Sequence, residues 1–221
     1  MRPETLLKLG ANGKSPGATW RIAGGSHLVR TSGRMEKNRL EAFSDGVIAI
    51  ILTIMVLDLK LPKEHTFDAL VRAWPMFGAY SLSYWNIFLL WLHHHAIFSP
   101  LKEITRAVLT ANGLLLFVAS FIPFATAFAS ETHWTEPVPV VLYGLLMACV
   151  SAAFVHLRSV ARSMTPDSNQ ATRHSTEVRL SLLMGLGFLV GAGAAWFDPR
   201  LALVLYASVP LLRVAYRRKS R

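Results

Sequence analysis

Two groups of residues could do chemistry inside otherwise apolar surroundings. Arg39, Phe43, Ser44 and Asp45 open one apolar run, which continues from Gly46 to Leu57 and is broken only by Thr53. Trp91, His93, His94 and His95 close another. A carboxylate at the start of a run this apolar is costly to bury, so Asp45 is a candidate for function or assembly. Three consecutive histidines suggest metal binding or proton handling. Adjacent helix positions point about 100° apart, however, so one helix cannot aim all three at one ion. With no companion ligand cluster, a hydrogen-bonding role for one histidine beside Trp91 is the expected one.

The first run also has a face. At about 100° per residue, Phe43, Gly46, Ile50, Thr53 and Leu57 fall within one stripe, and Ser44 and Asp45 lie well off it. Asp45 should therefore meet neighbouring helices while the stripe meets something else. A lipid-facing or core stripe beside a capping Asp would look the same. Arg39 and Asp45 do not share a face, so a pair between them would have to join helices or subunits.

These groups need elements to hold them, and the composition says which. Of the 221 residues, 52% are hydrophobic and 16% charged, with a mean hydropathy of +0.38. Soluble domains average about 45–50% apolar and about 25% charged. Six apolar spans are read at about 40–60, 74–98, 107–129, 138–157, 180–197 and 201–216, giving an all-α membrane protein of six transmembrane helices. Counted by alternate sides, 19 Lys and Arg fall with the two termini and four (Lys60, Lys63, Arg72, Arg200) fall opposite. Both termini are then cytoplasmic. The net charge of +10 is accounted for in this way and requires no nucleic acid, while anionic membrane lipids fit it.

Further expectations follow along the chain. Residues 1–34 are glycine-rich and basic without an apolar core, so they read as a disordered extension and not a secretory signal. Pro123 should kink the third span. Asn112 should bond across helices. Trp134 in the polar loop 131–136 reads as an interface anchor. Residues 163–176, with Pro166, read as a polar linker. Gly187 and Gly191 permit close helix packing. Cys149, the single cysteine, reads as a packing residue and excludes an intrachain disulfide. No Walker, GxSxG, HExxH or TVGYG motif is present.

Three stretches resemble the TMEM175 family of potassium channels. Arg39-x-x-x-Phe43-Ser44-Asp45 matches its RxxxFSD signature, and the following Gly46 to Thr53 is similar to the first helix of its prokaryotic members. Trp91-x-x-His94-His95-x-x-Phe98 and Asn112-x-x-Leu115-Leu116 through Pro123-Phe124 resemble two further patterns. His93 is an addition. The resemblance covers about residues 35–221, strongest over 39–57 and thin beyond 138. Family members often begin as Met35-Glu-Lys-Asn-Arg does here, so Met1 and Met35 both stand as starts.

The resemblance implies a passive, potassium-selective cation channel of the single-repeat type, in the bacterial inner membrane. It implies a homotetramer around four copies of the first helix, without cofactor or bound structural metal. Ile50 would form a hydrophobic constriction and Thr53 a hydroxyl ring beside it, with permeating potassium near both. Ile54 and Leu57 would line further layers. Arg39, Phe43, Ser44, Asp45, Trp91 and His94 would form a polar network holding the pore helices. From the residues alone two alternatives stay open: a proton-coupled transporter, or a metal-dependent membrane enzyme, using Asp45 and His93–His95.

Overall fold

The apolar run after Asp45 is helical, as are the other long apolar stretches. The computed structural model describes residues 37–60, 62–164 and 168–219; side chains at 168–174 and 212–219 fall outside it, as do the extension 1–34 and the start at Met35. Eight helices are described: α1 (Lys37–Leu57), α2 (Phe67–Arg72), α3 (Trp74–Phe98), α4 (Arg106–Ala119), α5 (Ile122–Glu131), α6 (Pro137–Arg162), α7 (Ser168–Ala194) and α8 (Pro199–Lys219). No strand occurs among the described residues.

Local signals set the boundaries. Thr66 and Thr105 cap α2 and α4, their hydroxyls accepting the N–H of Ala69 and Val108 at 3.2 and 3.4 Å. Proline stands in the first turn of α3, α5 and α6, where its missing N–H costs nothing. The third span is therefore broken more sharply than a kink: α4 ends at Ala119, and α5 restarts at Ile122 with Pro123 in its first turn.

Four helical stretches are long and apolar enough to cross a hydrocarbon core: Lys37–Leu57, Arg106–Glu131, Pro137–Arg162 and Ser175–Ala194. The protein is thus a multi-pass, all-helical membrane protein. α3 is 25 residues long, but its Trp, Tyr, His, Asn and Ser side chains lower its hydropathy. The described apolar part of α8, Pro199–Leu211, is shorter.

α6 is the central helix, packed against α3, α4, α5, α7 and α8, while α1 lies against α3, α4 and α5. On the far side, Tyr206 of α8 is fully buried and donates to the Val140 carbonyl at 3.0 Å. Gly144 and Gly191 make room for it: a Cβ on either would overlap the Tyr206 ring. The partner of the glycine-rich span is thus one large aromatic as much as a helix backbone.

Three local expectations need correction. The polar linker ends early, because α7 begins at Ser168, two residues past Pro166. A polar surface does not prevent a helix when only one proline interrupts it. Trp134 is not an interface anchor. Its ring is buried against Tyr143, with centroids 5.0 Å apart. His133 and Trp134 take φ of 50° and 59°, and this left-handed turn brings Trp134 N–H to the Ala129 carbonyl at 3.0 Å and folds the ring inward. Cys149 is exposed on the outer face of α6, so it does not pack the core.

Candidate functional site

α1 divides its residues between two environments. Leu40, Ser44, Ile48, Ile51 and Met55 recur at steps of three and four and are buried. Phe43, Gly46, Ile50, Thr53, Ile54 and Leu57 are exposed, with Ile50 at 57% and Leu57 at 80%. An apolar strip therefore runs the length of α1 with no cover from the other described residues.

The buried side of α1 carries the polar contacts. Ser44 Oγ donates to the Leu40 carbonyl at 2.9 Å. Asn112 Nδ2 on α4 donates to Ser44 Oγ at 2.9 Å. His94 Nε2 on α3 lies 2.7 Å from Asn112 Oδ1. Because that oxygen only accepts, Nε2 carries the proton. A single chain of hydrogen bonds thus joins α3, α4 and α1, and all three side chains are buried. In hydrocarbon such groups have no water to turn to, which favours the joined arrangement.

Asp45, next in sequence to Ser44, turns about 100° to a different neighbour. Trp91 Nε1 donates to Asp45 Oδ1 at 2.8 Å. α1 is therefore held to α3 and α4 through two adjacent residues. His94 also lies against Phe98, with ring centroids 4.7 Å apart.

The three histidines separate as the helix geometry requires. His93 bonds the Leu89 carbonyl through Nδ1 and meets the Phe154 ring edge-on. His94 joins Asn112, and His95 is exposed. Among the described residues, no group of three His, Cys, Asp or Glu side chains could hold a metal ion.

The expected network members are thus only partly brought together. Ser44, Asp45, Trp91 and His94 meet, with Asn112 as the link between two of them. Arg39 and Phe43 are exposed, outside that cluster. On the stripe, Thr53 Oγ1 donates to the Ile50 carbonyl at 3.0 Å, which directs its hydrogen back into α1.

A second buried polar cluster had no signal in the sequence. Thr126 Oγ1 lies 2.8 Å from Ser83 Oγ, and Ser83 Oγ lies 3.1 Å from the Tyr143 hydroxyl, joining α5, α3 and α6. Serine and threonine in apolar helices commonly bond their own backbone, so only the fold reveals the cross-helix partner.

The chain is similar to known proteins in sequence and in fold. A family model described as endosomal/lysosomal potassium channel TMEM175 matches residues 39–123, the stretch containing the Ser44–Asn112–His94 chain. A potassium channel of Chryseobacterium sp. is 33% identical over 181 residues, 80% of this chain and 92% of that protein. A potassium channel of Streptomyces collinus is 32% identical over 187 residues, 80% of this chain and 90% of that one. The crystal structure of a lysosomal potassium-selective channel TMEM175 homolog from Chamaesiphon minutus superposes with a TM-score of 0.71 at 25% identity, over 81% of this chain and 97% of that one. The chain belongs to the TMEM175 family.

Proposed function

We propose that this protein is a potassium channel, conducting passively through a pore lined by α1 in a homotetramer. The observation that carries this reading is the uncovered apolar strip on α1, in a chain about one-third identical to two bacterial potassium channels. The family is one of ion channels, not of enzymes. The channel domain is residues 35–221, with six spans, cytoplasmic termini and a place in the bacterial inner membrane.

The physics of the strip supports the role. Rotational symmetry brings one surface against its copies, so four strips can meet on an axis. Ile50 then forms a narrow ring that offers an ion nothing in exchange for its water, and blocks by dewetting. Thr53 follows one turn outward. Its hydrogen is committed to the Ile50 carbonyl, leaving oxygen lone pairs for a cation. Ile54 and Leu57 continue the apolar lining. Ser44, Asp45, Trp91, His94 and Asn112 hold α1 from behind, with Arg39 and Phe43 free for contact between subunits.

The test is purified protein in liposomes under potassium or sodium gradients, with its mass measured in detergent. Potassium-driven, electrogenic flux from a tetramer supports the reading. Flux that requires a pH gradient and saturates with substrate would replace it with the transporter. A C-terminal reporter active only in the periplasm would overturn the orientation.

A further inference from the structure

We infer that Asp58 forms a ring of negative charge at the outer mouth of the pore and raises the local concentration of cations there. This rests on the tetrameric channel and orientation proposed above.

Asp58 follows Leu57 directly, where α1 gives way to a turn, and its side chain is exposed. It borders a groove between α1 and α5 with Ile50, Ile51 and Ile54 of α1 and Phe124 of α5, about 100° round the helix from Leu57, so it sits at the edge of the apolar strip and acts on the axis through its field. The base closest in sequence does not neutralise it. Lys60 is held on Glu131 at the end of α5, with Nζ 2.5 Å from the carboxylate. Arg72 is held on Glu64 at 2.7 Å. Both bridges cancel within themselves, and no ion pair to Asp58 occurs among the described residues.

Two further features have the same sign. α1 ends at this mouth, and the carboxyl end of a helix carries partial negative charge. The four basic residues assigned to the outer side meet six acidic ones: Asp58, Glu64, Asp68, Glu131, Glu136 and Asp198. The outer side is thus net negative in a chain of net charge +10. Four copies of Asp58, each just beyond Leu57, concentrate that field around the axis. Low-dielectric walls focus such fields and enrich counter-ions.

Screening supplies the signature. The field of an exposed charge reaches about 30 Å at 0.01 M salt and about 3 Å at 1 M. A mouth charge therefore acts on conductance in dilute salt and vanishes in concentrated salt. A side chain that touches the ion in a dehydrated filter acts in both.

The experiment is single-channel conductance of full-length protein in neutral planar bilayers, at about 10 mM and about 1 M symmetrical KCl. Asp58→Asn should lower inward conductance about threefold at the low concentration and leave it nearly unchanged at the high one. Asp58→Glu should restore the wild-type value, and Asp58→Lys should lower it further. Equal conductance of Asp58→Asn and wild type in dilute salt, from variants that elute as the same oligomer, overturns the inference and leaves the channel intact. An equal loss at both concentrations also overturns it. A wild-type protein passing no potassium current overturns the channel reading, and this inference with it.

Discussion

Ile50 and Ile51 are neighbours on α1 with opposite surroundings: Ile50 is 57% exposed on the uncovered strip, and Ile51 is 4% exposed against the rest of the bundle. The same substitution at the two positions should therefore do different things. Ile50→Asn places a hydrogen-bonding group in the proposed constriction and should raise basal potassium flux in liposomes, with little change in melting temperature. Ile51→Asn buries an unpaired amide, at a cost of about 1–3 kcal/mol, and should lower the melting temperature without a leak. Unchanged flux in folded, tetrameric Ile50→Asn would remove this position from the pore lining.

Asn112 joins His94 to Ser44, so its loss should be felt on both sides. Asn112→Ala leaves two buried polar groups short of a partner and should cost about 1–3 kcal/mol. His94→Ala in the Asn112→Ala background should cost less than His94→Ala alone, because the bond is already gone. A thermal-shift double-mutant cycle measures this. Additive losses would mean that the His94–Asn112 contact does not contribute.

Among the described residues the partner of Asp45 is a neutral indole, not a cation. That sets the size of the effect. Trp91→Phe removes the donor and keeps most of the ring, and should destabilise by about 1.5–3 kcal/mol, the range for hydrogen bonds to charged groups. Asp45→Asn still accepts from Trp91 and should cost less. Chemical or thermal unfolding in a fixed detergent compares the two, and a larger loss for Asp45→Asn would point to a cation elsewhere in the assembly.

Tyr206 occupies space that a side chain on Gly144 or Gly191 would need. Gly144→Ala should destabilise by about 1–3 kcal/mol through overpacking. Adding Tyr206→Leu should recover part of the loss by clearing the ring. Tyr206→Phe alone removes only the bond to Val140 and should cost about 1 kcal/mol. No recovery in the double variant would mean that the two residues do not share that space.

Much of the scaffold is legible before any coordinates exist, because hydrocarbon demands long apolar helices and proline marks their ends. α3 coincides with its reading, and α1 and α6 agree within a few residues at most ends. What escapes is what depends on the partner. Trp134 reads as an anchor because aromatics collect at interfaces, but a left-handed turn two residues long sends it inward. Gly187 and Gly191 read as a helix-packing pair, yet the space at each is taken by a side chain of α8, Val209 at Gly187 and Tyr206 at Gly191. The α1 stripe could be read by angle alone, but its lack of cover only appears once the other helices are placed.

The break between α4 and α5 separates two helical phases within one span. Asn112, which meets Ser44, belongs to the first, and Thr126, which meets Ser83, belongs to the second. Deleting one residue at Ser120–Phe121 would leave each segment's internal ladder complete. It would nevertheless swing every α5 side chain by about 100° against α4. Thr126 would then lose Ser83 while Asn112 kept Ser44. The length of the interruption thus sets how the two polar clusters are phased against one another, so the register behind the amino-terminal half of α1 is tied to that behind its carboxyl-terminal half through Ser120 and Phe121.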